Sequence, residues 1–158
     1  MAYDLRALIA GQAVLGAVAR ELPGARAASI GQGLSLLPLS DALLGPVADG
    51  EVGGVGGSGF SPLPDELERR LADWSAAGPV AYVEAEYFGG VGEQRAAVWD
   101  GGTLVLGPVD VEEGRPFPPA GSPISQALRR LGVVAGGGED EFSAVGLDRH
   151  RCGEDWIA

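Results

Sequence analysis

Alternation of apolar and polar residues predicts two groups of antiparallel strands. VAYVEAEYF, residues 80–88, alternates along its whole length, so one side of the strand is small and apolar and the other carries Glu84 and Glu86. QRAAVW reads as a second strand, and Asp100-Gly101 gives a tight turn into a third, TLVLG. We expect these three strands to form a meander at the centre of the sheet. A Gly-Gln-Gly turn joins two further strands, about 26–30 and 34–38, in a separate hairpin.

The amino-terminal segment fits two different structures. Leu8, Leu15, Val18 and Leu22 recur at the spacing of one helix face that stops at Pro-Gly. The glycines inside that segment weaken a helix, so a turn or strand over residues 4–10 followed by a helix from about Gln12 fits equally well. The sequence leaves both alternatives open.

Helices are better marked in the rest of the chain. PDELERRLADWSAAGP places its apolar residues on one face and ends at Gly-Pro. Ser122 caps and Pro123 starts another helix, which Gly132 ends. Short helices are also expected after Ser40 and in GGGEDEFSAVGL. Together with the strands they predict an α+β fold, with an antiparallel sheet (hairpin plus three-stranded meander) packed against several helices.

The length of 158 residues fits a single domain over residues 1–158, interrupted by a flexible glycine-rich loop at 48–62. Within that loop GVGGSG has the spacing of a dinucleotide-binding motif. That motif requires a strand before it and a helix directly after it, whereas FSPLP follows here. We therefore expect no nucleotide cofactor.

Charge narrows the choice of partners. A formal charge of -11 and a pI near 4.4 oppose binding to nucleic acid and favour a basic protein. Cys152 is the single cysteine, which rules out an intrachain disulfide and suits a reducing compartment. No apolar run approaches the roughly 18 residues of a membrane span, and the amino end lacks the order of an export signal. We expect a cytoplasmic protein without a membrane partner.

The residues around the glycine corner at 89–92 are the candidate site. Glu84 and Glu86 share a strand face, and the partner-binding residues predicted with them are the neighbouring Tyr87, Phe88, Glu93 and Gln94. The same two carboxylates suit an acid-base pair or a cation site, and the simplest alternative is a solvated strand face. His150 and Cys152 offer too few ligands for a closed zinc site, and no GxSxG elbow is present, so no catalytic residue, metal or cofactor is predicted.

Three stretches carry a resemblance to known sequences: YVEAEYFGGVGEQRAAVW, SPISQALRRLGV and DEFSAVGLDRHRCGEDW. In this order they resemble a group of uncharacterised actinobacterial proteins of similar length, which implies no activity. In general character, small and acidic, the chain is also similar to immunity proteins that neutralise toxins.

Three functions follow from these patterns. The leading hypothesis is a non-enzymatic binding protein, such as an inhibitor or immunity-type protein, that meets a basic partner through the acidic face. The alternative is a small enzyme or ligand-binding domain with an acidic pocket at Glu84 and Glu86. A third is an oligomerising module that uses Trp99 or Trp156 as a self-interface.

Overall fold

Six strands form one antiparallel sheet in a computed structural model, which describes residues 2–21, 26–39, 65–88, 91–111, 121–137 and 140–147. The α+β fold with an antiparallel sheet is confirmed. The strands are β1 (Ala2–Gly11), β2 (Ala28–Ser29), β3 (Leu34–Pro38), β4 (Val80–Phe88), β5 (Val91–Asp100) and β6 (Thr103–Val111). Their order across the sheet is β2-β3-β1-β4-β5-β6.

The amino-terminal segment is a strand followed by a helix, and that strand joins the two predicted groups. β1 lies between the hairpin β2-β3 and the meander β4-β5-β6, with Ala10 opposite Val80 and Leu8 opposite Leu37. The expectation that the meander forms the centre of the sheet is therefore wrong. β1 is apolar on both faces of its carboxyl-terminal half, a pattern typical of a strand covered on both sides.

Four α-helices lie among the described residues: α1 (Gln12–Glu21), α2 (Asp65–Trp74), α3 (Pro123–Arg130) and α4 (Glu141–Ala144). A 3-10 turn, Ser75–Ala77, continues α2. The predicted cap of α3 is confirmed, because the Ser122 hydroxyl accepts a hydrogen bond from the Ser125 amide at 3.2 Å. Gly132 and Gly146 follow α3 and α4 with φ of 94° and 82°, the left-handed conformation that favours glycine after a helix.

Helices cover both faces of the sheet. On one face the side chains of α1 and α2 pack on Leu8, Ala10, Tyr82 and Ala97 in a core that also contains Trp99. On the other face α3 and residues at the end of α4 pack on the opposite side chains of β1, β4 and β5. Trp99 is only 5% exposed, so it belongs to this core and is not placed to form a self-interface.

The turn between β5 and β6 is held against the end of α2. Gly101 and Gly102 have φ of 61° and 85°, as a two-residue hairpin turn requires. Their amides donate to the backbone oxygen and the hydroxyl of the buried Ser75, each at 2.9 Å. This contact lies at the apolar end of the sheet face that α1 and α2 cover. The charged residues of the same face lie toward the other end of the strands.

Several predictions fall outside the described residues: the helix after Ser40, the loop at 48–62, and the roles of His150, Cys152 and Trp156. Among the helices that the structure describes, none has both the length and the apolar character of a membrane span.

Candidate functional site

The face of the sheet beneath α1 and α2 changes from apolar to charged along the strands. The apolar core reaches Leu8 of β1 and Tyr82 of β4. Two residues beyond Leu8 on β1 and beyond Tyr82 on β4, the strand register places four charged residues of alternating sign side by side. We name them the charged row: Arg6, Glu84, Arg95 and Asp110.

A second line of residues follows the charged row, and every member is acidic. Glu86 of β4 lies directly opposite Glu93 of β5, and the backbone register pairs Asp4 of β1 with Glu86 on its other side. We name Asp4, Glu86 and Glu93 the acidic row. Glu86 is exposed and Glu93 half-buried, while the side chain of Asp4 lies outside the described part of the structure.

Glu84 is held inside the charged row by an ion pair. Its Oε1 atom lies 3.3 Å from Nε of Arg6, and the two side chains are 13% and 38% exposed. Arg95, on the opposite neighbouring strand, is 9% exposed. The second carboxylate oxygen of Glu84, Oε2, is buried and has no hydrogen-bond partner among the described residues. The ion pair with Arg6 therefore offsets only part of the hydration free energy that the carboxylate of Glu84 loses.

Burial alters the protonation of Glu84 and of Tyr82 beside it. Burial raises the pKa of the Glu84 carboxyl above 4.5, although the Tyr82 hydroxyl, Arg6 and Arg95 act in the opposite direction. Burial also raises the pKa of the Tyr82 phenol, and the negative charge of Glu84 adds to that rise. Tyr82 is therefore a neutral donor at physiological pH, and Glu84 takes up a proton more readily than a solvated carboxylate.

The acidic row has a different electrostatic character. Glu86 and Glu93 are like charges directly opposite each other on neighbouring strands, an arrangement that destabilises a sheet. The charged row beside it contains two positive and two negative side chains and is balanced in itself. By formal charge, the described residues of this face are therefore balanced in the charged row and negative in the acidic row.

The structure separates residues that the sequence grouped together. Glu84 and Glu86 lie on one strand face, but Glu84 is half-buried and paired with Arg6 whereas Glu86 is exposed, so the two do not form an isolated acid pair. Glu93 lies opposite Glu86. The side chains of Tyr87 and Phe88 are outside the described part, and only their backbone pairing within the sheet is described.

Gln94 does not share the surface of Glu86 and Glu93. It is 5% exposed and points to the opposite face of the sheet, where its Oε1 atom accepts a hydrogen bond from the amide of Ile124 at 3.1 Å. Gln94 thereby satisfies one of the free amides at the start of α3. Its placement among the partner-binding residues is corrected to a structural contact.

Sequence reasoning placed Tyr82 on the same strand face as Glu84 and Glu86 but missed Arg6, Arg95 and Asp110 as neighbours of the candidate site. The available signal was an arginine inside each of two mainly apolar strands, DLRALIA and EQRAAVW. A charge at such a position needs an opposite charge on an adjacent strand. The identity of that partner depends on the register of β1 with β4, which only the fold supplies.

The described residues contain no group of three or more side chains placed to hold a metal ion. In comparisons with known proteins, no family model, no curated protein and no solved structure matches this chain. Its function therefore has to be inferred from the arrangement of its own side chains.

Proposed function

We propose that the protein is a non-enzymatic binding protein that receives a basic segment of another protein on the acidic row. Glu86 and Glu93 make the direct contacts. Arginine and lysine side chains of the partner pair with these carboxylates. An inhibitor or immunity-type protein, which neutralises a basic target by covering it, is the role that this chemistry suits.

The single observation that carries the proposal is the register of Glu86 with Glu93. Two carboxylates facing each other across neighbouring strands lower the stability of the sheet. Functional sites are the usual places where a protein keeps a locally unfavourable arrangement, because binding offsets its cost. A guanidinium or ammonium group placed between the two carboxylates would remove their repulsion.

The net charge of the chain supports the same partner. At -11, the whole molecule attracts a basic protein from a distance and repels phosphate backbones. We place the encounter in the cytoplasm, because the single cysteine leaves no intrachain disulfide to form in an oxidising compartment. The long-range field accelerates association, and the acidic row provides the specific contact.

The enzymatic alternative receives less support from the geometry. It requires two carboxylates that share a proton or a cation, as acid-base pairs do. Here Glu84 forms an ion pair with Arg6 on the neighbouring strand, whereas Glu86 lies opposite Glu93. Because of this ion pair, Glu84 is better suited to a structural role beside the acidic row than to acting with Glu86 on a substrate.

The test compares two double variants with the same change in net charge. Glu86→Gln with Glu93→Gln neutralises the acidic row, whereas Glu68→Gln with Asp73→Asn neutralises two exposed positions on α2. Each protein is immobilised and exposed to lysate of the producing organism at low and at high salt, and the retained proteins are identified by mass spectrometry.

We expect one basic protein to be retained by the unaltered chain and by the α2 variant, released by salt, and lost from the acidic-row variant. The affinity of that protein, once purified, would then be measured against all three chains. Equal affinity for the two double variants would show that only the overall charge matters and would contradict a site at Glu86 and Glu93. Retention of no basic protein by the unaltered chain would contradict the proposed function as a whole.

A further inference from the structure

We propose that Asp100 and Gly101 form a modification site at which isoaspartate arises spontaneously, and that the hydrogen bonds between the β5–β6 turn and Ser75 set its rate. The reaction needs water and no enzyme. It is independent of the proposed function, because the turn lies at the opposite end of β5 from Glu93 and the acidic row.

The sequence at the turn suits this reaction. An aspartate followed by glycine is especially prone to it, because glycine has no side chain to hinder attack by its own amide nitrogen. The sequence contains two such pairs, Asp100-Gly101 and Asp49-Gly50, and the second lies outside the described residues. It contains no asparagine, so deamidation is not a second source of isoaspartate. Asp100 is exposed, so water reaches its carboxyl group.

The reaction proceeds through a succinimide ring. The Gly101 nitrogen gives up its proton and forms a bond to Cγ of Asp100, and a carboxyl oxygen leaves as water. A second water molecule then opens the ring. Breaking the bond from nitrogen to Cγ restores aspartate, whereas breaking the bond from nitrogen to the main-chain carbonyl carbon of Asp100 leaves isoaspartate. The composition of the chain is unchanged, but its main-chain path is one carbon atom longer.

Hydrogen bonds to Ser75 oppose the first step. The Gly101 amide donates to the backbone oxygen of Ser75 at 2.9 Å, so the nitrogen that would attack holds its proton in a hydrogen bond. The Gly102 amide donates to the Ser75 hydroxyl at 2.9 Å, and that hydroxyl donates to the backbone oxygen of Ala72 at 2.7 Å. Ser75 is fully buried, so it anchors the turn to the core. Ring closure therefore requires the turn to detach from Ser75.

Detachment of the turn links two measurable rates. Local opening exposes the Gly101 amide to hydrogen exchange and also frees its nitrogen for attack. Both rates should therefore be slower in the folded protein than in an unstructured peptide, and by the same factor. Isoaspartate should then keep the turn from closing again, because its extra main-chain atom does not fit a two-residue hairpin turn.

The test incubates the full chain at neutral pH and follows isoaspartate at both Asp-Gly pairs by electron-transfer fragmentation of tryptic peptides. A synthetic peptide of residues 97–105 is the unstructured reference. Ser75→Ala removes the hydroxyl that anchors Gly102. Ser125→Ala is the matched control, because Ser125 is also buried but its hydroxyl has no hydrogen-bond partner among the described residues. Circular dichroism verifies that each variant is folded, and NMR measures hydrogen exchange at Gly101.

We expect Asp100 to isomerise more slowly in the folded chain than in the peptide, by the factor that protects the Gly101 amide from exchange. Ser75→Ala should raise the rate at Asp100 by about two- to tenfold, the effect of one lost hydrogen bond, and leave the rate at Asp49 unchanged. Ser125→Ala should change neither rate.

Three results would overturn the proposal. Asp100 could isomerise as fast in the folded chain as in the peptide, which would mean that the contact with Ser75 has no effect. Ser75→Ala could leave the rate unchanged, or Ser125→Ala could raise it equally, which would indicate a general loss of stability. The comparison of exchange with isomerisation in the unaltered chain needs no variant, so it decides the matter even if Ser75→Ala does not fold: unequal factors would refute control by opening of the turn.

Discussion

Replacing Gly31 with alanine should destabilise the fold by about 1–3 kcal/mol, the usual cost of forcing one extra carbon into a packed site. The Gly31 amide donates to the backbone oxygen of Val145 at 2.9 Å, which holds the β2–β3 hairpin against the end of α4. An added Cβ would lie 3.0 Å from Cα of Val145 and 3.1 Å from the backbone oxygen of Ala144. These are backbone atoms, so no side-chain rotation can relieve the contact.

For a chain of this size each kcal/mol shifts Tm by about 2–4 °C, so Gly31→Ala should lower Tm by about 2–12 °C. Urea denaturation followed by circular dichroism should show a lower midpoint with an unchanged slope. Gly16→Ala is the matched control: it lies inside α1, no atom is within 4 Å of the added carbon, and it should gain about 0.5–1 kcal/mol. A Gly31→Ala protein as stable as the parent would refute the close approach of hairpin and α4.

Four other substitutions test the electrostatics and the caps. Gln94→Ala leaves the buried amide of Ile124 without a partner and should cost about 1–3 kcal/mol in urea denaturation; a cost near zero would mean that another group replaces it. Ser122→Ala should cost about 0.5–2 kcal/mol and speed hydrogen exchange of the amide it accepts from, and unchanged exchange would contradict the cap. Glu86→Gln should raise the unfolding free energy by at most about 1 kcal/mol at low salt, with a smaller gain at high salt; a loss would contradict repulsion in the acidic row. For Glu84→Gln, the difference in unfolding free energy between the variant and the unaltered protein should depend on pH. The folded pKa of Glu84 lies above its ordinary value of 4.5, so the unfolded chain loses that proton first as pH rises, and the unaltered protein loses stability relative to the variant above about pH 4.5. Unfolding free energies measured from acid to neutral pH should therefore diverge, and parallel curves would show that burial does not disfavour the charge.

Local signals in the sequence were sufficient for some parts of the fold. The start of α3 follows from Ser-Pro and its end from Gly132, because caps and breakers act within a few residues of themselves. The sequence also predicts the β5–β6 turn, at Asp100-Gly101, and the structure centres it one residue later, on Gly101 and Gly102. Such caps and turns depend little on tertiary contacts with the rest of the chain.

The identity and place of β1 could not be read locally. Its apolar residues satisfy strand alternation, and Leu8 together with the apolar residues of α1 also satisfies helical spacing. The segment is a strand and not a helix because β3 and β4 pair with β1 on its two sides. The ion pair of Arg6 with Glu84 joins residues far apart in sequence and depends on that same choice.

The grouping of Gln94 with Glu93 is a different kind of error, because the sequence predicts a strand that begins at Gln94, whereas β5 begins three residues earlier, at Val91. Consecutive residues of a strand point to opposite faces, and β5 spans Val91–Asp100, so Glu93 and Gln94 lie on opposite faces of the sheet. For a strand residue, the face on which its side chain lies predicts its neighbours better than closeness along the chain.

The central place of β1 has a consequence for how the chain assembles. The hairpin β2–β3 and the meander β4–β6 each pair strands that are close in sequence, whereas β1 pairs with β4 across about 70 intervening residues, a slow closure for a sheet. Until β1 enters, β3 and β4 each present an unpaired edge to other chains. Such edges promote aggregation, so the chain is exposed to self-association until the amino-terminal strand pairs with both of them.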